Sequence, residues 1–195
     1  MSAISRIPPE IGYHGLRMSA EEYLALGETR ERYELIHGTV SMSPSSFPEH
    51  GEVANEIGRQ LGNFARATKS VRVFEEIDVH FSADTVYRPD ISVYRIERMP
   101  KKSVRLNKPP DLIVEVLSPG TKALDLITKR DDYEAFGVPE YWVVDPTDGR
   151  VKCWRRLAEG QGFSEVLVSG DHLDCAALAG FRLDLKAVRE AARGE

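Results

Sequence analysis

The spacing of apolar residues changes several times along the chain, and each change marks an element. Ser19-Ala20-Glu21-Glu22 has the Ser-x-x-Glu form of a capping box, in which the two side chains each satisfy a free backbone N–H. A short helix to about Leu26 is expected. Tyr33–Ile36 and Thr39–Met42 flank His37-Gly38 and predict a hairpin turning at Gly38, with Glu34 in its first strand. Over residues 50–67, Val53, Ile57, Leu61, Phe64 and Ala65 recur at helical spacing, so an amphipathic helix is expected with His50 in its first turn. Residues 71–74, 78–81 and 86–94 then read as successive strands of one sheet.

The most informative run is PPDLIVEVLSPGT. A continuous aliphatic stretch bounded by Pro and Gly is the signature of a strand buried on both faces, yet Glu115 sits in its middle. A carboxylate there needs a partner or a metal. Pro119-Gly120 ends the strand, and a helix is expected over 121–136, stopped by Gly137 with Pro139 beyond it. Residues 140–144, EYWVV, form another strand. A strand, helix, strand succession of this length is a crossover unit, which places the two strands parallel. Residues 151–154 and 163–168 add strands, and 185–192 a closing helix. These elements predict an α/β domain on a mixed sheet, with residues 1–17 as an arm and 18–195 as a single domain.

Composition narrows the function classes. At 195 residues and 42% hydrophobic, the chain suits one core rather than two. It has no apolar run able to span a bilayer and no secretory pattern at its start, so a soluble cytoplasmic protein is expected. Cys153 and Cys175 stand alone, without metal-ligand spacing, and are expected to be reduced and structural. A net charge of −5 gives no global attraction to nucleic acid. Any DNA contact must then be local, and the loop ERMPKKSVRLNKPP offers Lys101, Lys102 and Arg105 for it.

Asp90 begins one strand and Glu115 lies in another, so pairing of the two strands would bring their carboxylates together. Two such groups repel unless a positive charge intervenes, and a hard divalent cation is the usual solution. Asp125 and Lys129 are one turn apart on the predicted helix, on a face that could point at Glu115. A lysine there could orient the attacking water or neutralise developing phosphate charge. Glu34 and His50 are further candidates for a ligand and a proton-transfer group. Simpler readings stand beside these: Glu115 tied to Arg88 or Arg130, and Asp125–Lys129 as a solvated pair of about 0.3–0.5 kcal/mol.

The ordered set YELIHG, RPDISV, PDLIVEVLSP, DLITKRDDY and GVPEYWVVDP resembles the Uma-type restriction endonuclease family, from Met18 onward. That family resembles the PD-(D/E)xK restriction-endonuclease-like superfamily, whose fold is a central mixed β-sheet flanked by helices. By this resemblance Asp90 and Glu115 match the metal-binding acids, with Mg²⁺ or Mn²⁺ as cofactor. Leu117 occupies the place of the usual lysine, and Lys129 matches the family's displaced one. Glu34 matches an acidic residue supplied from an N-terminal element. The resemblance implies a metal-dependent endonuclease acting on DNA, working as a homodimer. The alternative is a non-catalytic DNA-binding or protein-interaction module on the same fold; a carboxylate-pair glycosidase lacks the expected row of exposed aromatics.

Overall fold

The computed structural model describes residues 12–43, 47–99, 105–158 and 160–195. In chain order its elements are α1 (Ala20–Leu24), β1 (Tyr33–Ile36), β2 (Thr39–Met42), α2 (Pro48–Thr68), β3 (Val71–Glu75), β4 (Val79–Ser82), β5 (Thr85–Tyr87) and β6 (Ile91–Arg95). They continue with β7 (Leu112–Val116), a π-helical segment (Leu124–Lys129) running into α3 (Arg130–Ala135), β8 (Glu140–Val144), β9 (Val151–Arg156), β10 (Phe163–Val166), β11 (His172–Asp174), β12 (Arg182–Asp184) and α4 (Leu185–Ala192). Among the described residues, no helix is long and apolar enough to cross a membrane.

The described residues fall into two compact units. The first draws on the described residues within Met1–Ser45, Asp78–Arg88 and Pro100–Lys108. It holds a four-stranded sheet in the order β2-β1-β5-β4 around Tyr23, Tyr33, Leu35, Val40 and Val86. Ser19 caps α1 through the reciprocal bonds of a capping box, as its sequence predicts. The β1–β2 turn places His37 at φ 47° and Gly38 at φ 78°, the left-handed pair that matches the twist of a two-residue hairpin.

The second unit draws on Ser46–Ile77, Pro89–Met99 and Pro109–Glu195. Its six-stranded sheet runs β10-β9-β8-β7-β6-β3, with β7 and β8 parallel and the other pairs antiparallel. One face presents Val114, Val116, Trp142 and Val144 to a core closed by Val53, Ile57 and Leu61 of α2 and by Leu185 and Val188 of α4. The opposite face carries Glu115 and Tyr141, which the Leu124–Ala135 segment covers. A mixed sheet flanked by helices is thus the architecture, and the parallel crossover between β7 and β8 is the one the sequence predicts.

One expectation fails. Residues 78–81 and 86–94 do not continue a single sheet with β3: β4 and β5 belong to the four-stranded sheet, and β6 to the six-stranded one. The break falls at Arg88-Pro89-Asp90. Pro89 has no N–H to give a ladder, and the flanking N–H groups of Arg88 and Asp90 go to the carboxylates of Glu34 and Glu115, respectively.

Glu140, fully buried at the start of β8, accepts bonds from Trp142 Nε1 (2.8 Å), Arg155 (2.9 Å) and the N–H groups of Ala176 (2.8 Å) and Ala177 (3.0 Å). It ties β8 to β9 and to the chain beyond β11, which is how a buried carboxylate is tolerated. Cys153 and Cys175 are buried and free. Burial, followed by the charge of Glu140, pushes the Cys153 thiol up to about 12 and raises that of Cys175 as well. Since the thiolate is the reactive form, neither cysteine should react with a disulfide reagent near pH 8 while the protein is folded, and both should react in denaturant. Thiol titration with DTNB checks this; a fast-reacting thiol in the native protein would contradict it.

Candidate functional site

Antiparallel pairing of Ile91 with Val114 brings Asp90, the residue just before β6, alongside Glu115 of β7. Each carboxylate takes a backbone donor from the other strand. Asp90 N–H donates to Glu115 Oε2 at 3.3 Å, and Val116 N–H donates to Asp90 Oδ2 at 2.7 Å. Asp90 Oδ2 also lies 3.2 Å from His50 Nε2 at the start of α2. These contacts engage Oδ2 of Asp90 and not Oδ1.

The positive charge comes from the covering segment. Lys129 Nζ donates to Glu115 Oε1 at 3.0 Å and lies 3.5 Å from Asp125 Oδ1. Glu115, Asp125 and Lys129 are 3%, 2% and 4% exposed, so this is an interior charge cluster and not the solvated helical pair that spacing alone allows. The guanidinium groups of Arg88 and Arg130 pair with Asp78 and Asp131. The backbone here is π-helical rather than the plain helix expected, a wider turn that re-aims side chains and recurs at functional sites.

Further groups hold the cluster. Tyr133, fully buried, donates its hydroxyl to the same Glu115 oxygen at 2.9 Å. Thr121 donates to Asp125 Oδ2 at 2.7 Å and shares a 2.9 Å bond with Ser118. Tyr141 donates to the Asp125 carbonyl at 3.0 Å, and burial, reinforced by the Glu115 and Asp125 charges, raises its pKa and keeps it a donor. Sequence reasoning passes over Tyr133 and Thr121. The DDY that follows Lys129 puts a tyrosine one helical turn beyond it, which was the available signal.

Of the sequence candidates, Asp90, Glu115, Asp125, Lys129 and His50 therefore come together in the second unit. Glu34 belongs to the first, where its Oε1 accepts the Arg88 N–H at 2.8 Å. Arg105 is exposed there and donates to the Leu24 carbonyl at 3.0 Å. Lys101 and Lys102 lie outside the described residues. Asp90 and Glu115 are the groups whose chemistry could hold a cation: hard oxygen donors suit Mg²⁺, which takes one or two carboxylates and fills its remaining positions with water and phosphate. Among the described residues, no group of three or more His, Cys, Asp or Glu is arranged to hold a metal alone.

Removing the buried cation should be costly. Lys129→Met leaves two interior carboxylates without their counter-charge, and a loss of about 3–5 kcal/mol of stability is expected in urea unfolding near neutral pH. Adding Glu115→Gln to it should recover part of that loss. Strict additivity of the two substitutions would show that the pair is not energetically coupled.

Comparison with known proteins agrees with this architecture. The chain is similar in structure to a protein described as a putative nuclease belonging to DUF820 from Anabaena variabilis ATCC 29413, with a TM-score of 0.75 and 22% identity, over 90% of this chain and 99% of that one. At that identity the likeness is one of fold. No curated protein matches the chain. The model of the Uma2 family, described as "Putative restriction endonuclease", matches residues 20–186, a span that includes Asp90, Glu115 and Lys129. The chain belongs to the Uma2 family.

Proposed function

We infer that the protein is a metal-dependent endonuclease that hydrolyses phosphodiester bonds of DNA. The observation that carries this is the meeting of Asp90 and Glu115 across β6 and β7, with Lys129 Nζ 3.0 Å from Glu115. Asp90 and Glu115 would hold Mg²⁺ or Mn²⁺, which when bound supplies a water of lowered pKa and Lewis-acid stabilisation of phosphoryl charge.

The chain's own groups do the positioning. The backbone bonds to Asp90 and Glu115 fix both carboxylates on rigid strands, and Tyr133 and Lys129 hold Glu115 Oε1 so that its other oxygen faces Asp90. Lys129 acts best as a fixed charge and hydrogen-bond donor toward the reacting phosphate. Serving as a base would strip the counter-charge from both Glu115 and Asp125. His50 lies against Asp90, where it could orient the carboxylate and pass a proton to a leaving oxygen. Cutting both strands of a duplex requires two sites, for which a twofold homodimer is the simplest assembly.

Leu117, standing where the superfamily's usual lysine would be, supports a second reading: a DNA-binding module that keeps the fold without cutting. Nicking of supercoiled plasmid in Mg²⁺ or Mn²⁺ separates the two. Cutting by the wild type should fall by about 100-fold or more in Asp90→Asn, Glu115→Gln and Lys129→Ala, each verified as folded by circular dichroism. No cutting by the folded wild type, or cutting undiminished in these variants, would overturn the nuclease reading.

A further inference from the structure

A cavity of about 400 Å³ opens beyond the carboxyl ends of β7 and β8. Four cationic residues, Lys122, Arg150, Lys152 and Arg189, line it against one carboxylate, Asp145. That concentration is not a reflection of the whole chain, whose net charge is −5. The rest of the lining is largely aliphatic, including Leu117, Leu126 and Val143. Its volume falls within the range of roughly 300–1,000 Å³ typical of small-molecule sites, and the carboxyl ends of sheet strands are where open α/β sheets commonly bind ligands.

Strand register joins this cavity to the site. Glu115 pairs with Val143 on β8, and Val143 pairs with Lys152 on β9. Glu115, Val143 and Lys152 therefore form one row across three neighbouring strands, on the same face. At the usual strand spacing Lys152 lies on the order of 10 Å from Glu115 along that row. The covering segment supplies a second link, since Leu126 lines the cavity and directly follows Asp125.

The cations can release their present partners. Arg150 pairs with Asp148, Arg189 pairs with Asp171, and Lys122 reaches Asp145 only at 4.0 Å. All these pairs are exposed or partly so, and such pairs hold weakly enough to exchange for a phosphate. The wall itself is firmly seated. Gly149 adopts φ +70°, and a Cβ there would fall 2.9 Å from the Arg189 Cα, so the β8–β9 turn packs closely on α4. A ligand for this site carries negative charge for the cations and a body with an apolar face for the aliphatic lining. A nucleoside 5′-phosphate has both.

We propose that this cavity is a nucleotide subsite, which seats a nucleotide of the DNA strand next to the bond held at Asp90 and Glu115, with its phosphate on Lys152 and Arg150. The assignment to a strand rests on the nuclease reading; the nucleoside-phosphate chemistry does not. The test is binding in EDTA, with no cutting required: deoxythymidine monophosphate by calorimetry, and a fluorescent 5′-phosphorylated single-stranded oligonucleotide by anisotropy. Both should bind the wild type, the oligonucleotide about tenfold more tightly or better, because it also occupies neighbouring contacts. Both affinities should fall about tenfold or more in Lys152→Ala/Arg150→Ala, and hold in Arg182→Ala, which removes an exposed charge elsewhere. Unchanged affinities in the double variant, or no binding by the wild type, would overturn the subsite. An oligonucleotide no tighter than the mononucleotide would overturn its assignment to a strand. A protein that binds as expected but fails to nick plasmid would lose the nuclease reading and keep the cavity.

Discussion

Burying Lys129 against Glu115 is the constraint on which the rest of the second unit depends. An ammonium and two carboxylates in the interior are tolerated only when each is paired and hydrogen-bonded. The pairing dictates that the segment after β7 lie directly over the strand and that it turn with a π-helical pitch, so that Asp125 and Lys129 both face inward. Thr121 and Tyr133 donate to further carboxylate oxygens of the cluster, and Tyr141 to the Asp125 carbonyl. A fully aliphatic β7 would be the simpler core, and the sheet has a second buried carboxylate, Glu140, whose bonds serve only to tie strands together. Glu115 differs because its second oxygen points across to Asp90.

Sheet register then does the geometric work. Once β8 pairs parallel to β7 and β9 antiparallel to β8, Glu115, Val143 and Lys152 fall into line on one face, and the β6–β7 pairing brings Asp90 alongside Glu115. Groups on strands are held more tightly than groups on loops. Pro89 contributes by refusing a ladder bond, which ends one sheet and lets Asp90 begin the strand of another.

Much of this was legible in the residues themselves. The aliphatic run around Glu115 announced both a central strand and a functional or paired carboxylate, and the capping box, the α2 periodicity, the β7–β8 crossover and α4 all follow local patterns the fold has no reason to override. The assignment of β4 and β5 to a separate sheet was not legible, since alternation reports burial and not which neighbour supplies it. Nor was the fate of the Asp125–Lys129 pair: a four-residue spacing fits an exposed helix face and a buried cluster equally, and only the packing of the covering segment decides. The short β11 and β12 strands, and the role of Glu140, depend on partners far along the chain. The resemblance to the Uma-type family singled out Lys129, though not its burial against Glu115 and Asp125.

The most direct test of the site is Mn²⁺ binding to the apo protein, followed by electron paramagnetic resonance of the free ion. Coordination by Asp90 and Glu115 predicts saturable binding at a single site, abolished in folded Asp90→Asn and Glu115→Gln. Binding that persists undiminished in both variants, or no binding by the folded wild type, would contradict it.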